Sequence, residues 1–254
     1  MTNDNNLQLF DLRPATRYSY SMLATYIECP FRYKLTYLDK VTSSKKQKHY
    51  LMTGLTLHLV LQDFFGLERN KRTQEVMLSI LDTRWGRWNI DQNQEESGYK
   101  QCEEIINRFF NTFPVGANVF ERETGFKVKF QDSFLKGKID RIDYLEDETF
   151  EIIDYKLGDE FGKTEKEIKD DLQWIFYWYA FKKKYEQLDY KPSMVSFYFL
   201  ASSKKVSFRP TDIDENNALA KLQQQIQMIE EDKLFKKQKS ANCNNCYFLE
   251  RECV

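Results

Sequence analysis

GFKVKFQDSFLKGKIDRIDYLEDETFEIIDYKLG, residues 125–158, decides how this chain is read. Its first seven residues alternate strictly and set Phe126, Val128 and Phe130 on one side, as a half-buried strand does. SFLKGKIDRIDYL and TFEIIDYKLG follow, separated by the turn-like EDE, so the stretch predicts an antiparallel meander of three strands. In the last strand Asp154 and Lys156 are two apart and share a face. Asp140 stands one hairpin earlier, in GKID. Two carboxylates converging on a divalent cation, with an ammonium group beside them, are what metal-assisted phosphodiester cleavage needs. Taken alone, an Asp-x-Lys tripeptide is common and Asp140 reads equally as the partner of Arg141 or a lysine.

Upstream the period is helical. Ser19 or Ser21 caps a helix through MLATYIECPFRYKLTYL, which Cys29-Pro30 breaks or kinks. TGLTLHLVLQDFFG, residues 53–66, places Leu57, Val60, Leu61 and Phe64 at helical spacing and carries His58, by itself readable as a satisfied helix histidine. Helical character continues over 74–88 and 100–113, with the polar NIDQNQEESG as a loop between them. Downstream the charged loop GDEFGKTEKEIKDD leads into a helix from about Asp171 to Tyr185. Leu172, Ile175, Phe176, Tyr179 and Ala180 form its apolar stripe, and Gln173 and Tyr177 stack four apart on one face. Strands MVSFYFL and VSFRP come next. Asp212 with Glu215 reads as a capping box for a last helix with the seam Leu219, Leu222, Ile226 and Ile229. The order predicts an α/β (α+β) fold, a mixed central sheet flanked by helices. Residues 1–17 read as a flexible leader and 18–254 as a single domain.

Charged residues make up 30% and hydrophobic ones 41% of 254, the balance of a globular protein and not of a disordered one. The longest apolar run, Trp174 to Phe181, falls far short of the roughly 20 residues that span a bilayer. The polar start MTNDNNLQLFD has no apolar stretch, which predicts a cytoplasmic protein without a secretory signal. A net charge of −1 provides no global field toward nucleic acid and argues against a simple coating protein. Basic residues cluster locally over Arg32 to Lys48, at Lys182 to Lys184 and over Lys233 to Lys239. Each is a solvated face taken singly; together they could line a groove that tracks a phosphate backbone.

Five cysteines, an odd number, argue against a disulfide framework. Cys243-x₂-Cys246-x₆-Cys253 is a thiolate trio that needs a fourth ligand, and Cys29 is the candidate. Zinc sites usually come as two close pairs, so this one-plus-three arrangement fits an iron–sulfur cluster better, with zinc as the alternative. Either would clasp the N- and C-terminal ends of the fold together. Cys102, in the apolar QCEEIINRFF, reads as a packing residue.

The succession SYSMLATYIECPFRY, GLTLH, GKIDRID, EIIDYKLG, QWIFY and CNNCYFLEREC resembles the RecB-like nucleases of the PD-(D/E)xK superfamily. Within it the chain looks most like the iron–sulfur branch, which includes the AddB nuclease domain and the CRISPR-adaptation nucleases. The likeness runs from about Tyr18 to Cys253. It implies a restriction-endonuclease-like core in which His58, Asp140, Asp154 and the carbonyl of Tyr155 bind Mg²⁺ or Mn²⁺. Lys156 would be the catalytic lysine, and Gln173 and Tyr177 would position the substrate strand. Cys29, Cys243, Cys246 and Cys253 would hold a [4Fe–4S] cluster, within a region formed by residues 18–50 and 240–254. Glu123 matches the acidic residue that precedes the first core strand.

The implied activity is a metal-dependent deoxyribonuclease, an exonuclease on single-stranded DNA or DNA ends. It would serve DNA repair, recombination, or CRISPR or phage DNA processing, beside helicase or integrase partners and away from membranes. The chain itself has no Gly-rich phosphate loop of the motor type. The alternatives are a DNA-end-binding iron–sulfur module within a larger complex, and RNA as substrate. Trp174, Trp178 and Tyr155 either stack bases or pack the core.

Overall fold

A computed structural model describes residues 16–41, 49–85, 92–158 and 164–239, together with Cys243, Asn244, Cys246, Phe248 and Cys253. Residues 1–15 of the expected leader lie outside the described residues. Its end does not: Arg17–Tyr18 form a short strand, β1. Ser19 caps α1 (Tyr20–Glu28), its hydroxyl accepting from Met22 N–H at 3.4 Å. Pro30 then stops one helix and starts another, α2 (Pro30–Tyr33), because its missing N–H costs nothing in a first turn. A single π turn, Lys34–Leu38, follows.

Three helices come next: α3 (His49–Phe65), α4 (Gln74–Trp85) and α5 (Gln92–Thr112). The sequence reading put residues 89–98 in a loop, whereas α5 begins at Gln92. Gln and Glu are sound helix formers, and polar composition alone does not make a loop. The meander consists of β2 (Val119–Phe130), β3 (Ser133–Tyr144) and β4 (Phe150–Lys156). In the charged stretch behind it, Thr164 and Glu167 form a capping box that nucleates α6 (Glu165–Asp170), a helix the sequence reading did not anticipate. Helix α7 (Gln173–Lys184), β5 (Pro192–Phe199), β6 (Lys204–Phe208) and α8 (Asp212–Glu231) complete the chain. The box that starts α8 is Thr211 with Asp214, one residue earlier than expected, since the hydroxyl of Thr211 takes the Asp214 N–H at 3.2 Å.

The sheet order is β1-β3-β4-β5-β6, with β2 also paired to β3. β1 runs parallel to β3 and β4 parallel to β5, while the other pairs are antiparallel, so the sheet is mixed. Each side of it has its own core. On one side Trp174, Ile175 and Phe176 of α7 and Leu222 and Ile226 of α8 cover Leu135, Ile139 and Ile152. On the other, Leu57, Val60 and Phe64 of α3 and Ile105 and Phe109 of α5 cover Ile153, Tyr155 and Tyr198. Trp174, Trp178 and Tyr155 are buried and pack these cores. No described helix is long and apolar enough to cross a membrane.

A buried cation sits between sheet and helices. Arg141 is 1% exposed; it donates to Tyr155 Oη at 2.8 Å and Asp143 Oδ2 at 2.9 Å, and its guanidinium lies 4.0 Å from the Phe65 ring centroid. Burial pushes the Asp143 carboxyl above its ordinary range while Arg141 pulls it back. Removing the cation strands a buried carboxylate, so Arg141→Ala is expected to cost about 3–5 kcal/mol in urea denaturation. Cys102 is fully buried, and burial alone pushes its thiol up to about 12. Iodoacetamide at pH 8 should therefore leave Cys102 unlabelled in the native protein and modify it once the chain is unfolded, as read by peptide mass spectrometry.

Candidate active site

The β3–β4 ladder pairs Tyr144 with Phe150, Asp143 with Glu151, Ile142 with Ile152 and Arg141 with Ile153, and there it ends. The next pair in register would be Asp140 with Asp154. Instead the Asp140 carboxylate accepts the Tyr155 N–H at 2.8 Å, replacing the carbonyl that a continued ladder would offer. From Ile139 backward β3 stays paired with β2, and from Asp154 onward β4 stays paired with β5. The two strands part at the two acids. Gly137 of the GKID motif has a separate reason: a Cβ there would come within 2.7 Å of the Phe126 ring.

Asp154 is 3% exposed and held from three sides. Gln173 Nε2 donates to its Oδ1 at 2.9 Å and Tyr177 Oη donates to the same oxygen at 2.8 Å. Gln173 and Tyr177 also bond each other at 2.8 Å, as neighbours one helical turn apart can. Lys156 Nζ lies 2.7 Å from Oδ2. Burial raises the Asp154 carboxyl above the usual range; Lys156 opposes this and the charge of Asp140 adds to it. Burial, with Asp154 close by, also raises the Tyr177 phenol well above its ordinary value, so it stays a donor.

Across the gap, α3 brings His58 Nδ1 within 3.5 Å of Asp140 Oδ1 and 4.0 Å of Glu123 Oε1. Burial disfavours the imidazolium, but the hydrogen bond to Asp140 and the charges of Asp140, Asp154 and Glu123 outweigh it and raise the His58 pKa. Among the described residues, ligand atoms of His58, Glu123 and Asp140 all fall within 4.8 Å of one another. Glu123 enters this group through an uncommon backbone: its φ is 50°, left-handed in the middle of β2. A non-glycine residue held there costs of order 1–3 kcal/mol and is found where surrounding structure over-determines it. Lys138, paired with Glu123, is a neighbour that nothing in the sequence singled out beyond its place in an alternating strand.

The donor set suits a hard divalent cation. Carboxylate oxygens with one imidazole match Mg²⁺ and Mn²⁺. Asp154 Oδ2 is buried and meets only the Lys156 ammonium among the described residues, a charged oxygen that an ion in the gap could share. Separately, Cys29, Cys243, Cys246 and Cys253 line one cavity of about 390 Å³, together with Phe31, Leu35, Phe248 and the charged Glu28, Arg32, Lys237 and Lys239. Burial raises the Cys253 thiol, and the other three cysteines add to the rise.

Residues 17–251 match the family model described as the PD-(D/E)XK nuclease superfamily. No curated protein matches. Among solved structures, one named "Putative exonuclease" from Eubacterium rectale aligns with TM-score 0.54 and 16% identity, covering 93% of this chain and 88% of that one. A second, SSO0001, aligns with TM-score 0.39 and 12% identity over 94% of this chain and 87% of its own.

Partners behind a metal-binding carboxylate typically change affinity by about 10- to 100-fold. Tyr177→Phe should accordingly lower Mn²⁺ affinity by that factor in calorimetric titration. Tyr179→Phe, whose hydroxyl only reaches the Lys129 carbonyl, should not.

Proposed function

Because the chain belongs to the PD-(D/E)XK nuclease superfamily, we propose that it is a RecB-like deoxyribonuclease dependent on Mg²⁺ or Mn²⁺, acting as an exonuclease on single-stranded DNA or DNA ends. The observation that carries this reading is the parting of β3 and β4 at Asp140 and Asp154, with Lys156 turned to the same gap. His58, Glu123, Asp140 and Asp154 would hold the cation, with the Tyr155 carbonyl as a further oxygen. When bound, such an ion neutralises charge on a phosphate and lowers the pKa of a coordinated water. Lys156 supplies a fixed positive group for the charge that develops on the scissile phosphate. Gln173 and Tyr177 keep Asp154 turned toward the gap, and a role in positioning the substrate strand is part of this proposal. Residues 18–254 would form the nuclease domain, working in DNA repair, recombination, or CRISPR or phage DNA processing beside helicase or integrase partners.

For the cysteines we infer a [4Fe–4S] cluster on Cys29, Cys243, Cys246 and Cys253. Four cysteines from opposite ends of the chain lining one cavity support it. The one-plus-three spacing of the thiols favours a cluster over a single Zn²⁺, whose ligands usually come as two close pairs. Anaerobically purified protein should be brown, with broad absorption near about 400 nm that vanishes in Cys246→Ser. A colourless protein that retains zinc would refute the cluster and leave the nuclease reading untouched.

Incubated with end-labelled DNA and Mn²⁺ or Mg²⁺, the protein should release nucleotides, and EDTA should stop it. Lys156→Ala should lower the rate by roughly 10²–10³-fold. DNA binding that persists in EDTA, with no cleavage at any metal concentration, would identify a DNA-end-binding module instead.

A further inference from the structure

Past Asp140 the β2–β3 ribbon runs on as a sheet with one open face. Residues directly opposite across a ladder share a face. The register sets Lys127 opposite Lys136, Lys129 opposite Phe134 and Gly125 opposite Lys138. On the far edge β1 adds Arg17 beside Phe134. Arg17, Lys127, Lys129, Lys136 and Lys138 are all exposed. The reverse of the ribbon is buried: Phe126 packs edge-on to Tyr177 and Phe130 to Tyr179 of α7.

Five cations therefore stand on one face of three strands, in a protein whose net charge is −1. Asp132 in the hairpin turn and Glu123, paired with Lys138 at the candidate active site, flank the row, while Glu230 bonds Tyr18 and Ser133 on the reverse of the ribbon. Lys127 is not free to wander, since its Nζ sits 4.5 Å from the Phe134 ring centroid. Gly125 keeps the row beside Lys138 open; a Cβ there would meet nothing within 4 Å. Alternate residues on a strand repeat every ~6.8 Å, so the rows from Phe134 to Asp140 extend about 20 Å. Three strands at about 4.8 Å make the face about 10 Å wide. That is a strip, narrow and aimed at the metal-binding acids.

We propose that this face is the approach track for a single nucleic-acid strand, whose phosphates lie along Arg17, Lys129, Lys127 and Lys136 before reaching Lys138 and the gap between Asp140 and Asp154. The inference rests on the nuclease reading above and specifies how its substrate is held. Phosphate neutralisation makes affinity fall with salt, by about 0.7 in log–log slope per contact on a single strand.

The test is fluorescence anisotropy of the whole protein with a labelled single-stranded 20-mer in EDTA, over a salt series. The triple variant Lys127→Gln, Lys129→Gln, Lys136→Gln should flatten the slope by about 2 and weaken binding at least tenfold at low salt. Lys182→Gln, Lys183→Gln, Lys184→Gln removes the same charge from lysines already paired with Glu215, Glu186 and Glu121, and should leave the slope unchanged. Thermal melting confirms that both variants fold. An unchanged slope in the first variant, or an equal drop in both, overturns the track. So does displacement of the strand by poly-glutamate at matched charge, which would mark a face for acidic polypeptides. If the parent cleaves DNA with Mn²⁺ while the track fails, the nuclease reading stands. A parent that neither binds nor cleaves DNA sinks both.

Discussion

The hydrogen bond from the Tyr155 amide to the Asp140 carboxylate is the constraint on which the site depends. An antiparallel ladder continued by one more pair would set Asp140 and Asp154 face to face with their backbones joined. Two buried like charges at that separation repel strongly in a medium of low dielectric. By satisfying the amide with a side chain, the protein releases the two strands from each other without orphaning a buried donor. β3 keeps its pairing to β2 and β4 keeps its pairing to β5, so neither strand loses support when they separate.

The remaining parts brace that opening from both sides of the sheet. Behind it Arg141 and Tyr155, each adjacent in sequence to one of the acids, are bonded to each other, with Arg141 packed against Phe65 of α3 and Tyr155 against Phe109 of α5. The same helix places His58 in front. On the opposite layer α7 holds Asp154 through two side chains one turn apart. A rigid rear and two helices of unrelated cores thus converge on a few carboxylate oxygens, which is how a site is held to the tolerance that catalysis by positioning demands.

Much of this was legible in the residues. The period-2 alternation before Asp140, the shared face of Asp154 and Lys156 and the one-turn spacing of Gln173 and Tyr177 follow from the geometry of strands and helices, and the structure has them so. The mixed sheet with helices on both faces was legible from the order of periods. What escaped depends on relations no local pattern encodes. The left-handed backbone of Glu123 is set by packing, and its residue type advertises nothing of the kind. Arg141 reads as a polar position in IDRID, yet it is among the most buried side chains because Asp143, Tyr155 and Phe65 all meet it. The lysines of the ribbon read as the wet side of an amphipathic strand. Their convergence with Arg17 becomes visible only once register and the β1 pairing are known. The helix starts at Gln92 and Glu165 are masked by polar composition that reads as loop, and the cap of α8 falls at Thr211, one residue before the Asp212 that the pattern suggests.

β1 and α1 lock onto α8: Tyr18 bonds Glu230, and Tyr26 bonds the Met228 carbonyl and Asp232 just past the helix end. β1 in turn leans on β3, which is made much later. During synthesis the leading segment therefore has no lasting partner while the meander and α3 to α5, built from neighbours in sequence, can already assemble. Its docking can begin once β3 and α7 exist but is complete only when α8 has left the ribosome, which makes the earliest-translated part of the described molecule among the last to become native.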